Sequence, residues 1–114
     1  MEKTELRNLL NKRLGLELRR LEVAASFWSL AKGLMFRKGM PKGSALLMDL
    51  GKPKMAGIWM LFMRFPIDII FLDENLRTVG EKKNARPLRF YNPLTWRVYY
   101  PKKKARYVLE IKSG

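Results

Sequence analysis

Between Lys3 and Leu14 the chain places Leu6, Leu9, Leu10 and Leu14 at helical spacing, with Glu5, Arg7, Lys12 and Arg13 on the other faces and Gly15 as a stop. This predicts a short amphipathic helix. Residues 16 to 24 alternate imperfectly between apolar and charged, as a half-buried strand does, and the doubled arginine at 19 and 20 suggests a bulge. Ser26 then caps a predicted second helix whose Phe27, Leu30, Ala31 and Leu34 follow the i, i+3, i+4 pattern until Gly39 and Pro41 end it. The apolar run Ser44 to Leu50 is too short for a helix and is bounded by turn residues, so it reads as a buried strand.

The most apolar and aromatic passage runs from Trp59 to Asp73. It predicts one strand from Ala56 to Phe65, a corner at Pro66, a second strand from Ile67 to Leu72, and a turn at Asp73-Glu-Asn-Leu leading into Thr78 to Lys82. Residues 85 to 95, with Pro87, Asn92 and Pro93, read as a loop. Thr95 to Tyr100 and Ala105 to Ile111 are two further strands around Pro-Lys-Lys-Lys. About seven strands and one or two short helices, most neighbours being close enough to pair as hairpins, give an α+β class with a mainly antiparallel, curved or barrel-like sheet. Parallel βαβ architecture is not expected, because too few helices are available for crossovers. Residues 1–15 form a helical extension and residues 16–114 a single mostly-β domain.

Three blocks together resemble the domain-of-unknown-function 192 family: Gly33-Leu-Met-Phe-Arg37, then Trp59-Met60 with Pro66-Ile-Asp68-Ile-Ile-Phe-Leu-Asp73, then Ala105-Arg-Tyr-Val-Leu-Glu110. Their order and spacing cover roughly residues 21 to 114 and leave the first helix outside. The resemblance implies a compact, mostly β domain with a small helix, and brings no established activity, cofactor or catalytic residue. Many members carry Lys-Asn directly after the Trp-Met pair, where this chain has Leu61 and Phe62.

Composition narrows the chemistry. The 114 residues hold no cysteine and no histidine, which removes disulfides, thiolate nucleophiles, the usual zinc ligands and the commonest general base near neutral pH. That weighs against an enzyme, whose base would have to be Asp68, Glu110 or a lysine. No cofactor motif and no metal-ligand set is present. Arg64, Pro66 and Asp68 interrupt the best apolar run before it reaches membrane-spanning length, and nothing marks the chain for secretion, so the cytoplasm is the expected compartment.

Charges inside an apolar passage need partners. Asp68 is read either as a structural ion pair with Arg64 or Arg37, or as a ligand contact. Arg37, Arg64 and Glu110 carry the same two readings. Trp59, beside Gly57, is read as core or as a stacking platform for a sugar or base. Asp73, an odd number of residues from Asp68 and therefore on the opposite face of a regular strand, is read as a turn residue.

The formal net charge is +14, and it is uneven. Residues 75 to 114 hold eleven Lys or Arg against Glu81 and Glu110, which leaves nine of the fourteen charges in the last third. Aromatic residues are interleaved with Lys82, Lys83, Arg86, Arg89, Arg97, Lys102, Lys103, Lys104 and Arg106, the mixture that a groove for single-stranded nucleic acid requires. A solvated basic face explains the same charges, and no RNP box, GXXG loop or helix-turn-helix pattern accompanies them. Three functions follow from this reading: a non-enzymatic binding domain for a polyanion such as RNA; a small-molecule or carbohydrate-binding or modifying domain with a pocket near Trp59 and Asp68; and a structural or partner module docked through its first helix.

Overall fold

A computed structural model of the chain describes residues 2–24, 40–55, 57–59, 65–86 and 98–112. The first helix, α1, spans Lys3–Leu14 and ends at Gly15, whose φ of 66° lies in the left-handed region that glycine adopts without penalty. The strands are β1 (Arg20–Ala24), β2 (Ser44–Lys54), β3 (Ile58–Trp59), β4 (Ile67–Leu72), β5 (Thr78–Ala85), β6 (Val98–Tyr99) and β7 (Ala105–Lys112). Five of them form one sheet in the order β1-β2-β7-β4-β5, and β3 pairs with β6 separately. The predicted helix from Ser26 lies outside the described residues, as does most of the predicted loop from 85 to 95.

The fold is α+β with a mainly antiparallel sheet, and among the described residues the sheet is open rather than closed into a barrel. Its connectivity differs from the expected run of hairpins. Within the five-stranded sheet, β4 and β5 are the sequence neighbours that pair as a hairpin, whereas β1 and β2 run parallel, with Arg20 opposite Ser44 and Ala24 opposite Met48. A parallel pair needs a long crossover, and the residues between Ala24 and Ser44 supply the length. The last strand, β7, inserts between β2 and β4, antiparallel to both.

Burial on both faces explains why β4 is apolar at every position except Asp68 rather than alternating. On one face lie Leu46, Met48, Ile69, Phe71 and Val108. On the other lie Leu21, Leu47, Ile70, Leu72 and Leu109, joined by Leu10 of α1, which is completely enclosed. Polar bonds fix the helix to this second face. The Asn11 side chain accepts from the Leu18 N–H at 2.8 Å and donates to the Leu18 carbonyl at 3.0 Å, while Arg13 donates to the carbonyl of Asn75 in the β4–β5 turn. The helix is therefore part of the core and not only an appendage to it.

The turn itself is built by Asp73, as expected. One carboxylate oxygen accepts the N–H groups of Asn75 at 2.8 Å and Arg77 at 3.0 Å, which satisfies the backbone of the tight reversal. Leu76 sits there at a φ of 61°, an unfavourable conformation for a branched side chain, and is held by its burial against the α1 face. Replacing Leu10 with alanine is expected to lower the unfolding free energy by about 2–5 kcal/mol. Urea denaturation checks this, and a loss under about 1 kcal/mol would show the helix to be peripheral.

Candidate functional site

The strand register decides what the buried carboxylates can do. In β4 and β5, Ile67 faces Ala85 and Ile69 faces Lys82, so β5 carries one extra residue opposite Asp68. The extra residue forms a bulge, and Asn84 within it has a φ of 53°. The bulge breaks the ladder, and Asp68 accepts the Asn84 N–H at 2.8 Å. Asp68 is thus a clamp on a β-bulge. The ion-pair partners expected for it, Arg64 and Arg37, lie outside the described residues. So does the side chain of Trp59, whose backbone pairs with Val98 in β3 and β6.

Glu110 lies in the central strand, opposite Leu46 on one side and Ile69 on the other, and is 5% exposed. It is the one charged side chain among the described residues buried to this degree. A carboxylate there is tolerated only with a partner, and both Glu110 and Asp68 are engaged in polar interactions. The register also places half-buried Glu22 beside Leu46, so Glu22 and Glu110 flank that leucine on one face. The sequence did not single out Glu22, because its row depends on the parallel pairing. Among the described residues no group of three or more His, Cys, Asp or Glu is placed to hold a metal ion.

The basic residues divide into those that converge and those that do not. The Lys102 N–H donates to the Val79 carbonyl at 2.8 Å, which ties the Pro101–Lys104 segment to the start of β5. Gly80 makes this approach possible. A Cβ at Gly80 would stand 2.8 Å from the Pro101 Cα and 3.1 Å from the Phe71 ring, so only a residue without a side chain fits. Strand alternation puts Lys82 on the same face as Gly80, and its ammonium group lies 5.9 Å from the centre of the Tyr99 ring. The segment that carries exposed Lys102, Lys103 and Lys104 therefore crosses β5 on the face from which Lys82 projects, although about twenty residues of sequence separate them.

A cleft of about 330 Å³ lies between these two segments, lined by Thr78, Val79, Gly80, Glu81, Lys102 and Lys103. Glu81 is the acidic member, and Lys83 reaches it at 3.9 Å in an exposed pair that contributes little. Arg86 is exposed just beyond the end of β5. Arg89 and Arg97 lie outside the described residues.

Arg106 is differently employed. It bonds both oxygens of Asp49, at 2.6 and 3.2 Å, beside the bulge where β2 makes its register shift. Its guanidinium also lies 5.2 Å from the centre of the Tyr107 ring. The hydrogen bonds from Arg106 hold the Asp49 carboxyl below its ordinary pKa, burial opposes this, and the Gly51 N–H and the Arg106 charge add to it. Arg106 is thus bound up in the fold, apart from the lysine cluster.

A second groove, of about 470 Å³, lies on the α1 face and is lined by Leu6, Val23, Leu47 and Tyr107, with Asp49 and Glu74 among its charged members. Lys3 lines it as well, and Asp49 is paired with Arg106, so its charges are mixed. The cleft lined by Lys102 and Lys103 lies away from the helix, beside β5.

The sequence pattern that defines the domain-of-unknown-function 192 family, described as Uncharacterized ACR, matches residues 10–114. The chain belongs to this family. The match begins inside α1, at enclosed Leu10, rather than near residue 21 as the three blocks suggested. Relatives include a UPF0127 protein of Pyrococcus horikoshii, 37% identical over 82% of this chain and 73% of its own length. Another, of Thermococcus sibiricus, is 34% identical over 83% of this chain, which spans 56% of that relative. A crystal structure of a protein of unknown function from Novosphingobium aromaticivorans matches with a TM-score of 0.73 and 30% identity, over 85% of this chain and 64% of that one. The family is uncharacterised, so its members carry no assigned chemistry to this site. No helix among the described residues is long and apolar enough to cross a membrane.

Two outcomes test the geometry. Gly80→Ala should cost about 1–3 kcal/mol, because the new methyl meets backbone at Pro101, and a neutral effect in thermal or urea unfolding would contradict the close approach. For Asp49, the lowered folded pKa means that the pair's stability is fully present above the ordinary carboxylate pKa of about 4 and is lost as pH falls through the folded value. Urea midpoints taken across that range should fall less steeply in Asp49→Asn than in the native chain.

Proposed function

We propose that this chain is a non-enzymatic, cytoplasmic domain that binds a polyanion, RNA being the class that fits, through the lysines of β5 and the Pro101–Lys104 segment. The observation that carries the reading is the tie between Lys102 and Val79, which brings Lys102, Lys103 and Lys104 beside Lys82 although the sequence separates them. Lysines that share one side of the molecule repel one another, and an anion that bridges them relieves the repulsion and releases its own counterions. Lysines on an end strand also discourage strand pairing with other molecules, which accounts for Lys82 and Lys83 but not for the gathering of a second basic segment against them.

Arg86 extends the cluster at the far end of β5. Arg106 is left out, because Asp49 already neutralises it. Asp68 is left out of any ligand role for a similar reason, its oxygen being used on the bulge.

Binding of a fluorescent RNA across a salt series tests this. The native chain should bind at low salt with log K falling linearly against log salt, and Lys102→Glu, Lys103→Glu and Lys104→Glu together should flatten the slope by about two or more. No binding of either RNA or heparin at low salt, or a slope that the triple variant leaves unchanged, would sink the proposal.

A further inference from the structure

The lysine cluster has one aromatic neighbour that packing does not explain. Tyr100 is 61% exposed, the most exposed large apolar side chain among the described residues, and it stands between two anchored positions. On its N-terminal side Tyr99 belongs to β6 and is packed against the core. On its C-terminal side Pro101 is buried over Gly80, and Lys102 is hydrogen-bonded to Val79. The backbone that carries the ring is thus fixed from both directions. A rigid ring with few rotatable bonds, presented on a fixed backbone, loses little freedom when something stacks on it.

The ring also sits two residues from Lys102, so a strand whose phosphates engage Lys102, Lys103 and Lys104 brings its bases within reach of Tyr100. We infer that Tyr100 is a stacking platform for an unpaired base, and that the polyanion accepted by this surface is single-stranded nucleic acid rather than a duplex or a base-free polyanion. This rests on the polyanion reading above and makes it more specific. A duplex keeps its bases stacked on one another and offers the ring only its backbone, whereas a single strand has free base faces. Lys82, held over the Tyr99 ring, extends the positive track on which such a strand would lie.

The experiment compares two probes on the intact chain: a fluorescent single-stranded RNA of about ten nucleotides and heparin, which has charge but no bases. Tyr100→Ala, with its fold checked by circular dichroism, should weaken RNA binding about five- to a hundredfold, leave heparin binding unchanged and keep the salt slope of the native chain. Tyr100→Phe, which keeps the ring, should bind RNA like the native chain. An unchanged RNA affinity in Tyr100→Ala, or equal losses for RNA and heparin, would overturn the stacking inference while leaving the polyanion reading intact. If the native chain binds heparin but not RNA, the inference again fails alone. If it binds neither at low salt, the polyanion reading fails and the inference with it.

Discussion

The insertion of β7 between β2 and β4 is the constraint on which the rest of the structure depends. The C-terminal strand is the spine of the sheet, so β2 and the β4–β5 hairpin have no direct pairing with each other and are joined only through it. Leu109 and Val108 are fully buried on its two faces, one toward α1 and one away from it. The β2–β7 and β4–β7 ladders that join the two halves of the sheet wait for this strand, a topology rich in non-local contacts and correspondingly slow to assemble.

The same insertion sets the candidate site. Because β7 must reach the centre of the sheet, the Pro-Lys-Lys-Lys run that precedes it has to pass β5 at the end of the strand order, and Gly80 provides the passage. The lysines are exposed where the chain turns inward, and Ala105, the first residue of β7, is already completely buried. The basic surface is therefore a consequence of chain routing as well as of composition. Arg106, one residue further on, falls within the strand and is absorbed by Asp49 instead.

Local signals were legible in the sequence. The leucine spacing gave α1, the Gly15 stop gave its end, Asp73 gave its turn, and Ile67 to Leu72 and Ala105 to Ile111 appeared as strands within a residue or so of their observed bounds. The failures are those of pairing. Nothing in the residues from 16 to 24 distinguishes a strand that pairs parallel with β2 from one that forms a hairpin, because alternation reports a half-buried face and not a partner. The expected bulge at the doubled arginine has a counterpart in the N–H groups of Arg19 and Arg20, which both point to the Gly43 carbonyl, at 2.7 and 3.1 Å. Asp68 was legible as a carboxylate in need of a partner, but the partner described is a backbone N–H exposed by a register shift that no local pattern announces. Charge was legible as an excess in the last third, and its division into gathered lysines and a sequestered Arg106 required the fold.

The proposed polyanion surface is formed by β5 and the 99–104 segment, across the sheet from α1. Titration of the isotopically labelled chain with single-stranded RNA, followed through its backbone amide NMR signals, tests that claim most directly. Shifts are expected to concentrate at Gly80 to Lys83 and at Tyr99 to Lys104, with Leu6, Val23 and Tyr107 in the α1 groove unmoved. Shifts centred on that groove instead, or none at any residue at low salt, would contradict it.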